Sequence, residues 1–322
     1  MEVLPPMPSG RSVVILGMHR SGTSVMTRVI NLLGLPLCRE DDIYTAPDNP
    51  TGHWESASLV AFNDRLLDLF GGRFIAPAAM SDGWESDPAA VVLREEADEV
   101  FSRAHPTTAW VWKDPRTCLT LPFWRSVWPH APVAVYVHRE PLEVALSLRR
   151  RDGLGKAHCV ALWERYARSS LRGAAGLPLV SVQFDELMAD PVAAVAELGE
   201  HLARLGVPVV SDVGQAARFV AAKQAASGPV SLADDPDATC TQRSLLAAIS
   251  ALPRTCDPFA PPELGAESAS TTELLAAIRE RRGHDPTLRA AAREVWPAFR
   301  RAARSRLQLR RSYSGEPGAL LK

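Results

Sequence analysis

The 322-residue chain carries 36 Lys and Arg against 37 Asp and Glu, a formal net charge of −1, and 46% of it is hydrophobic. That length buries a sizeable core in one large domain or two small ones, and the near-neutral balance argues against a general nucleic-acid binder, so any anion site must be local. Five scattered Cys without C-x-x-C spacing and eight His without H-x-x-x-H pairing predict neither a disulfide framework nor a metal site.

No run approaches the ~18–20 apolar residues that span a bilayer, and the N-terminus lacks the basic-then-apolar order of a secretory leader. The expected address is the cytoplasm. High Ala and Arg content fits a GC-rich bacterial source. Residues 1–11 read as a Pro-rich loose tail.

The informative stretch runs from Ser12 to Gly34. Val13 to Leu16 is a short β-branched run of the buried-strand kind. A loop G-x-x-x-x-G-T-S follows from Gly17 to Ser24, and then a helix pattern with Val25, Met26, Val29, Ile30, Leu32 and Leu33. Strand, Gly-containing loop and helix aim backbone N–H groups and a helix N-terminus at one anion. The loop is nearly the nucleotide-triphosphate P-loop, but Thr23 stands where its lysine belongs. Without that lysine the loop suits a nucleotide with fewer phosphates, cradled by amides, by the hydroxyls of Ser21, Thr23 and Ser24, and by Arg20.

Residues 38–54 form a long polar connection, which in an α/β domain is functional or disordered. An amphipathic helix is expected from Glu55 to Phe70, with Leu59, Phe62, Leu66 and Leu69 on one face. Residues 71–88 read as a loop with exposed Phe74 and Trp84, either an acceptor-contacting lid or a packed surface loop. One helix is expected from Pro88 to Arg103. TAWVWKDPRTC then places Lys113, Asp114 and Arg116 just past a strand, at the carboxyl end where open α/β sheets bind ligands. A salt-bridged turn is the alternative for Asp114 and Arg116. After a helix at 119–127, VAVYVHREPLEVALSLRRR gives a strand, a turn at Glu140-Pro141 and a helix. Arg139 stands at the end of this strand and Ser147 follows it by eight residues, two turns into the helix.

HRSGTS after an apolar strand, together with Arg139 and Ser147, resembles the sulfotransferases that use 3′-phosphoadenosine 5′-phosphosulfate (PAPS), of the bacterial GMHRSGTS type. The resemblance covers about residues 12–205. It implies that Arg20, Ser21, Gly22, Thr23 and Ser24 contact the 5′-phosphate, and Arg139 and Ser147 the 3′-phosphate. It further implies Lys113 or Ser24 on the sulfuryl oxygens and no metal. The stretch NPTGHWES, similar to an N-P-[KR]-G-[YF]-[FW]-E segment of the relatives, implies a base at Glu55, with His53 second. KDPR is characteristic of the same relatives.

Further on, 156–171 reads as a helix, LPLVSVQFDEL as a strand and turn, and 192–205 as a helix. Strands near 12–17, 108–112, 133–138 and 179–183 alternate with helices. The fold expected is α/β, a P-loop-like three-layer arrangement of a mostly parallel sheet flanked by helices, plus a helical C-terminal extension. The PAPS-binding core spans 12–210 and the extension 211–310 of the same domain, with 1–11 and 311–322 as tails. Helices are expected near 213–225, 243–251, 271–282 and 286–309, without strand signal between them. The Arg-rich end reads as a solvated face rather than a nucleic-acid patch. The partner implied is a small-molecule or carbohydrate acceptor. A P-loop small-molecule kinase, with Asp114 as the only passable magnesium carboxylate, and a non-catalytic nucleotide-binding module are the competing readings.

Overall fold

The computed structural model describes residues 10–44, 52–209, 213–223 and 230–283. A five-stranded sheet is its frame. The strands are β1 (Val13–Leu16), β2 (Val111–Lys113), β3 (Val133–His138), β4 (Leu179–Gln183) and β5 (Thr255–Cys256), in the order β2-β1-β3-β4-β5. The first four are parallel and β5 pairs antiparallel with β4. β1 lies between β2 and β3, and the carboxyl end of such a switch point is where open α/β sheets bind ligands.

The helices are α1 (Thr23–Leu32), α2 (Ala57–Leu69), α3 (Pro88–Val91), α4 (Arg94–Ala104), α5 (Thr117–Arg125), α6 (Pro141–Asp152), α7 (Lys156–Gly173), α8 (Phe184–Ala189), α9 (Pro191–Arg204), α10 (Val213–Ala221), α11 (Cys240–Ser250) and α12 (Ala269–Gly283). Strand side chains alternate between two faces, as the period of two demands. Val13, Ile15, Val111, Val133 and Val135 pack under Met26 and Ile30 of α1, Leu198 of α9 and Val220 of α10. Val14, Leu16, Trp112, Ala134 and Tyr136 pack against α2, α4, α5, α6 and α7. Three layers result, with near-continuous apolar strands because both faces are covered.

The sequence reading needs several corrections. The helix expected at Pro88–Arg103 is two, α3 and α4, with Val92 and Leu93 between them. The turn expected after β4 is α8, and a strand, β5, lies in the stretch read as having none. Leu69 is exposed, outside the buried stripe of α2. Trp84 is buried, packed on Phe70 and Phe123. Apolar burial there outweighs the polar look of the loop.

By contact density the chain divides into Met1–Ala276 and Ala277–Lys322. Of the second unit only 277–283, the end of α12, lie among the described residues. The helix expected at 286–309, most of the N-terminal tail, the tail 311–322 and residues 45–51 of the long connection lie outside them. No helix among the described residues is long and apolar enough to cross a membrane, and no described group of His, Cys, Asp and Glu is placed to hold a metal ion.

Candidate active site

The loop after β1 is shaped by its two glycines. Gly17 has φ +147° and a Cβ there would lie 2.5 Å from Val137 O and 2.8 Å from Thr23 Cγ2. Gly22, the N-cap of α1, has φ +94°, and a Cβ would lie 2.1 Å from Phe184 Cδ2. No side chain caps α1 and no acidic residue sits in its first turn, so its N-terminal dipole meets no built-in anion there. Arg20 adopts φ +70°, a left-handed conformation costly for a residue with a Cβ.

Lys113 from the end of β2 and Ser147 from α6 both contact this loop. Lys113, at the end of β2, donates to Ser24 Oγ at 3.1 Å and forms a short ion pair with Glu55 Oε1. Both partners are buried, their side chains 1% and 8% exposed. Such a pair must be well hydrogen-bonded to offset desolvation, and Ser24 supplies one such bond. Arg20 Nε donates to Ser147 Oγ at 2.8 Å. The residue assigned to one phosphate therefore touches a residue assigned to the other. Arg139, just past β3, bonds Glu143 Oε2 through Nε at 2.8 Å and through its terminal nitrogen at 2.6 Å, with its guanidinium 5.1 Å from the Phe184 ring centre.

His53 is buried, edge-on to Tyr44 at 5.5 Å. Trp54, between His53 and Glu55, takes φ +58° and lies under Arg28. Ser21 and Thr23 are buried within the loop. The structure thus brings Arg20, Ser21, Gly22, Thr23, Ser24, Lys113 and Glu55 to one place, with Ser147 joined through Arg20.

Asp114 and Arg116 form the salt-bridged turn. Asp114 Oδ1 accepts from Arg116 N and from its side chain, both at 3.0 Å, and Oδ2 accepts from Asn63 at 2.8 Å. Arg116 Nε bonds Asp64 at 2.6 Å. Burial opposes the arginine's charge, but Asp114, Asp64 and Glu55 outweigh it and raise its affinity for the proton. Phe74 is half-buried under Arg116 and beside His19.

Two residues that sequence reasoning left unassigned sit at this loop. His19 has a buried Nε2 with no hydrogen-bond partner. Burial, then Arg116, Arg151, Lys113 and His53, lowers its pKa well below the usual value. Cys118 accepts the Gly17 N–H at 3.1 Å. The motif HRSGTS contained the signal for His19; nothing in the spacing announced Cys118.

Solved structures resembling the chain include the sulfotransferase domain of the Synechococcus olefin synthase, at 14% identity over 86% of this chain and 98% of that one, TM-score 0.39. The sulfotransferase domain from the curacin biosynthetic pathway is 14% identical over 85% and 98%, TM-score 0.38. Sulfotransferase STF9 of Mycobacterium avium is 17% identical over 66% and 68%, TM-score 0.35. No curated protein sequence matches the chain. The family model described as "Sulfotransferase family" matches residues 12–209, from the start of β1 past the end of α9. The chain belongs to the sulfotransferase family.

Proposed function

We propose that the protein moves a sulfuryl group from PAPS to a hydroxyl or amine of a small-molecule or carbohydrate acceptor, by in-line transfer. The observation that carries this reading is the Lys113 ammonium, which bridges the phosphate loop at Ser24 and the buried carboxylate of Glu55. The donor set fits PAPS. Arg20, Ser21, Gly22, Thr23 and Ser24, with the uncapped start of α1, suit a 5′-phosphate, and Arg139 with Ser147 suits a 3′-phosphate. When bound, PAPS supplies the sulfuryl group and a phosphate leaving group.

The chain's own residues then do three things. The loop and Arg20 neutralise charge developing on the leaving side, which is where electrostatic preorganisation contributes most. Lys113 orients oxygens between that side and the acceptor. Glu55 takes the acceptor proton, its carboxylate already fixed by Lys113, with His53 as the second candidate. Metal is not part of this reading. A cytoplasmic setting in a bacterial cell belongs to the same reading.

The kinase alternative is weakened by Thr23 in the lysine position and by Asp114, whose oxygens are taken by Arg116 and Asn63. The experiment is a melting series followed by an acceptor screen. 3′-Phosphoadenosine 5′-phosphate (PAP) should raise the melting temperature and ATP with magnesium should not. Mass spectrometry of acceptor mixtures with PAPS should reveal a product heavier by one sulfuryl group. Stabilisation by ATP–magnesium alone would overturn the proposal in favour of the kinase.

A further inference from the structure

The segment Lys113 to Cys118 touches the phosphate loop twice. At the far end of the loop, Lys113 Nζ holds Ser24 Oγ at 3.1 Å. At its start, the Gly17 N–H points to Cys118 Sγ at 3.1 Å. Between these grips the segment is fastened to α2, Asp114 by Asn63 and Arg116 by Asp64. We propose that Cys118 is a positioning residue for the phosphate loop: its sulfur turns the first loop amide into the protein and, with Lys113, sets the curvature on which the 5′-phosphate sits.

Three observations support this role. Cys118 is fully buried on α5, and burial pushes its thiol up to about 11. It is therefore a neutral thiol rather than a reactive thiolate. A Cβ on Gly17 would run into Val137 O and Thr23, so the backbone packs closely there. The amide itself is buried with Gly17, and a buried N–H that loses its acceptor is costly even where sulfur accepts weakly. Relief of that cost would come from rotating the peptide, which would move the amides that follow. Cys118 thus acts through Gly17 on the cradle and touches no reacting atom.

The ligand half of this inference rests on the PAPS reading; the loop half does not. The test compares wild type with Cys118→Val, which fills the space without an acceptor, and Cys118→Ser, which restores one. Amide hydrogen exchange at Gly17, with no ligand present, should be at least about tenfold faster in Cys118→Val, while Cys118→Ser stays near wild type. Calorimetry with PAP should show Kd raised about three- to tenfold in Cys118→Val and recovered in Cys118→Ser.

Unchanged Gly17 exchange in Cys118→Val overturns the inference. So does equal loss of affinity in both variants alongside equal loss of melting temperature, since that is a packing role. A wild-type protein that does not bind PAP refutes the donor reading instead, and Gly17 exchange then judges the loop contact by itself.

Discussion

Two buried carboxylates, Glu55 and Glu164, show how differently the same kind of group can be used. Glu164, on α7, accepts from Ser268 N at 2.9 Å, from Thr271 Oγ1 at 2.7 Å, from Gln242 at 3.2 Å and from Arg168 at 3.1 Å, and also from Ser268 Oγ. Burial alone would raise its pKa. The donors from Ser268 and Thr271, together with Arg168, outweigh burial and lower it. Arg168 shares α7 with it, but Gln242 lies on α11, Ser268 just before α12 and Thr271 in its first turn, so the carboxylate pins the C-terminal part of the first unit onto α7. Glu55 instead meets a lysine that also holds the phosphate loop. Burial and charge therefore do not mark a site. What sets Glu55 apart is a partner, Lys113, that also reaches the loop after β1 through Ser24.

The largest expected effect breaks the pair apart by activity. Glu55→Gln should lower turnover at saturating PAPS about 10²–10⁴-fold, the range for loss of a general base, whereas His53→Ala should stay near wild type. Steady-state assays of both variants check this. A silent Glu55→Gln with a dead His53→Ala would transfer the base to His53.

Glu164→Gln should do the converse. Removing one partner of a buried ion pair costs about 3–5 kcal/mol, read as a lower urea midpoint, with turnover of the folded enzyme unchanged. The pH dependence follows in sign. A carboxyl held below its unfolded value adds stability above that value and loses it as pH falls through the folded one. The acid limb of the wild-type stability curve should accordingly be steeper than that of Glu164→Gln.

A smaller effect concerns His105, which packs among Phe101 and Trp110 with neither ring nitrogen bonded. Burial lowers its pKa to about 3. Its neutral form is the one the fold keeps, so stability is full above about pH 6.5 and declines as pH falls toward 3. His105→Phe should flatten that decline by at most about 1.4 kcal/mol per pH unit. Denaturant titrations at pH 7, 6 and 5 measure it, and an unchanged slope would mean that His105 titrates normally.

Much of the frame was legible in the sequence because apolar strands and capped helices carry local signals. Val133–His138 and the helix start at Pro141 fall where the pattern put them, and the helix read at 192–205 runs from Pro191 to Arg204. β5 was not legible, since two residues opposite β4 gain strand geometry only from pairing. The same holds in the site. Glycines and hydroxyls of the loop announce themselves by spacing. The Arg139–Glu143 pair has i,i+4 spacing, but the Arg20–Ser147 and Gly17–Cys118 contacts link residues more than 100 apart in sequence.

The central claim is that residues at the ends of β1, β2 and β3 form one site for a nucleotide phosphorylated at both 5′ and 3′ positions. The most direct test is calorimetric titration of wild type and Arg139→Ala with PAP and with adenosine 5′-monophosphate, which lacks the 3′-phosphate. Wild type should prefer PAP by about 2–3 kcal/mol, the worth of a charge-assisted bidentate contact, and Arg139→Ala should lose that preference while still binding the monophosphate. A wild type that binds both nucleotides equally, or an Arg139→Ala that keeps the preference, would contradict the account.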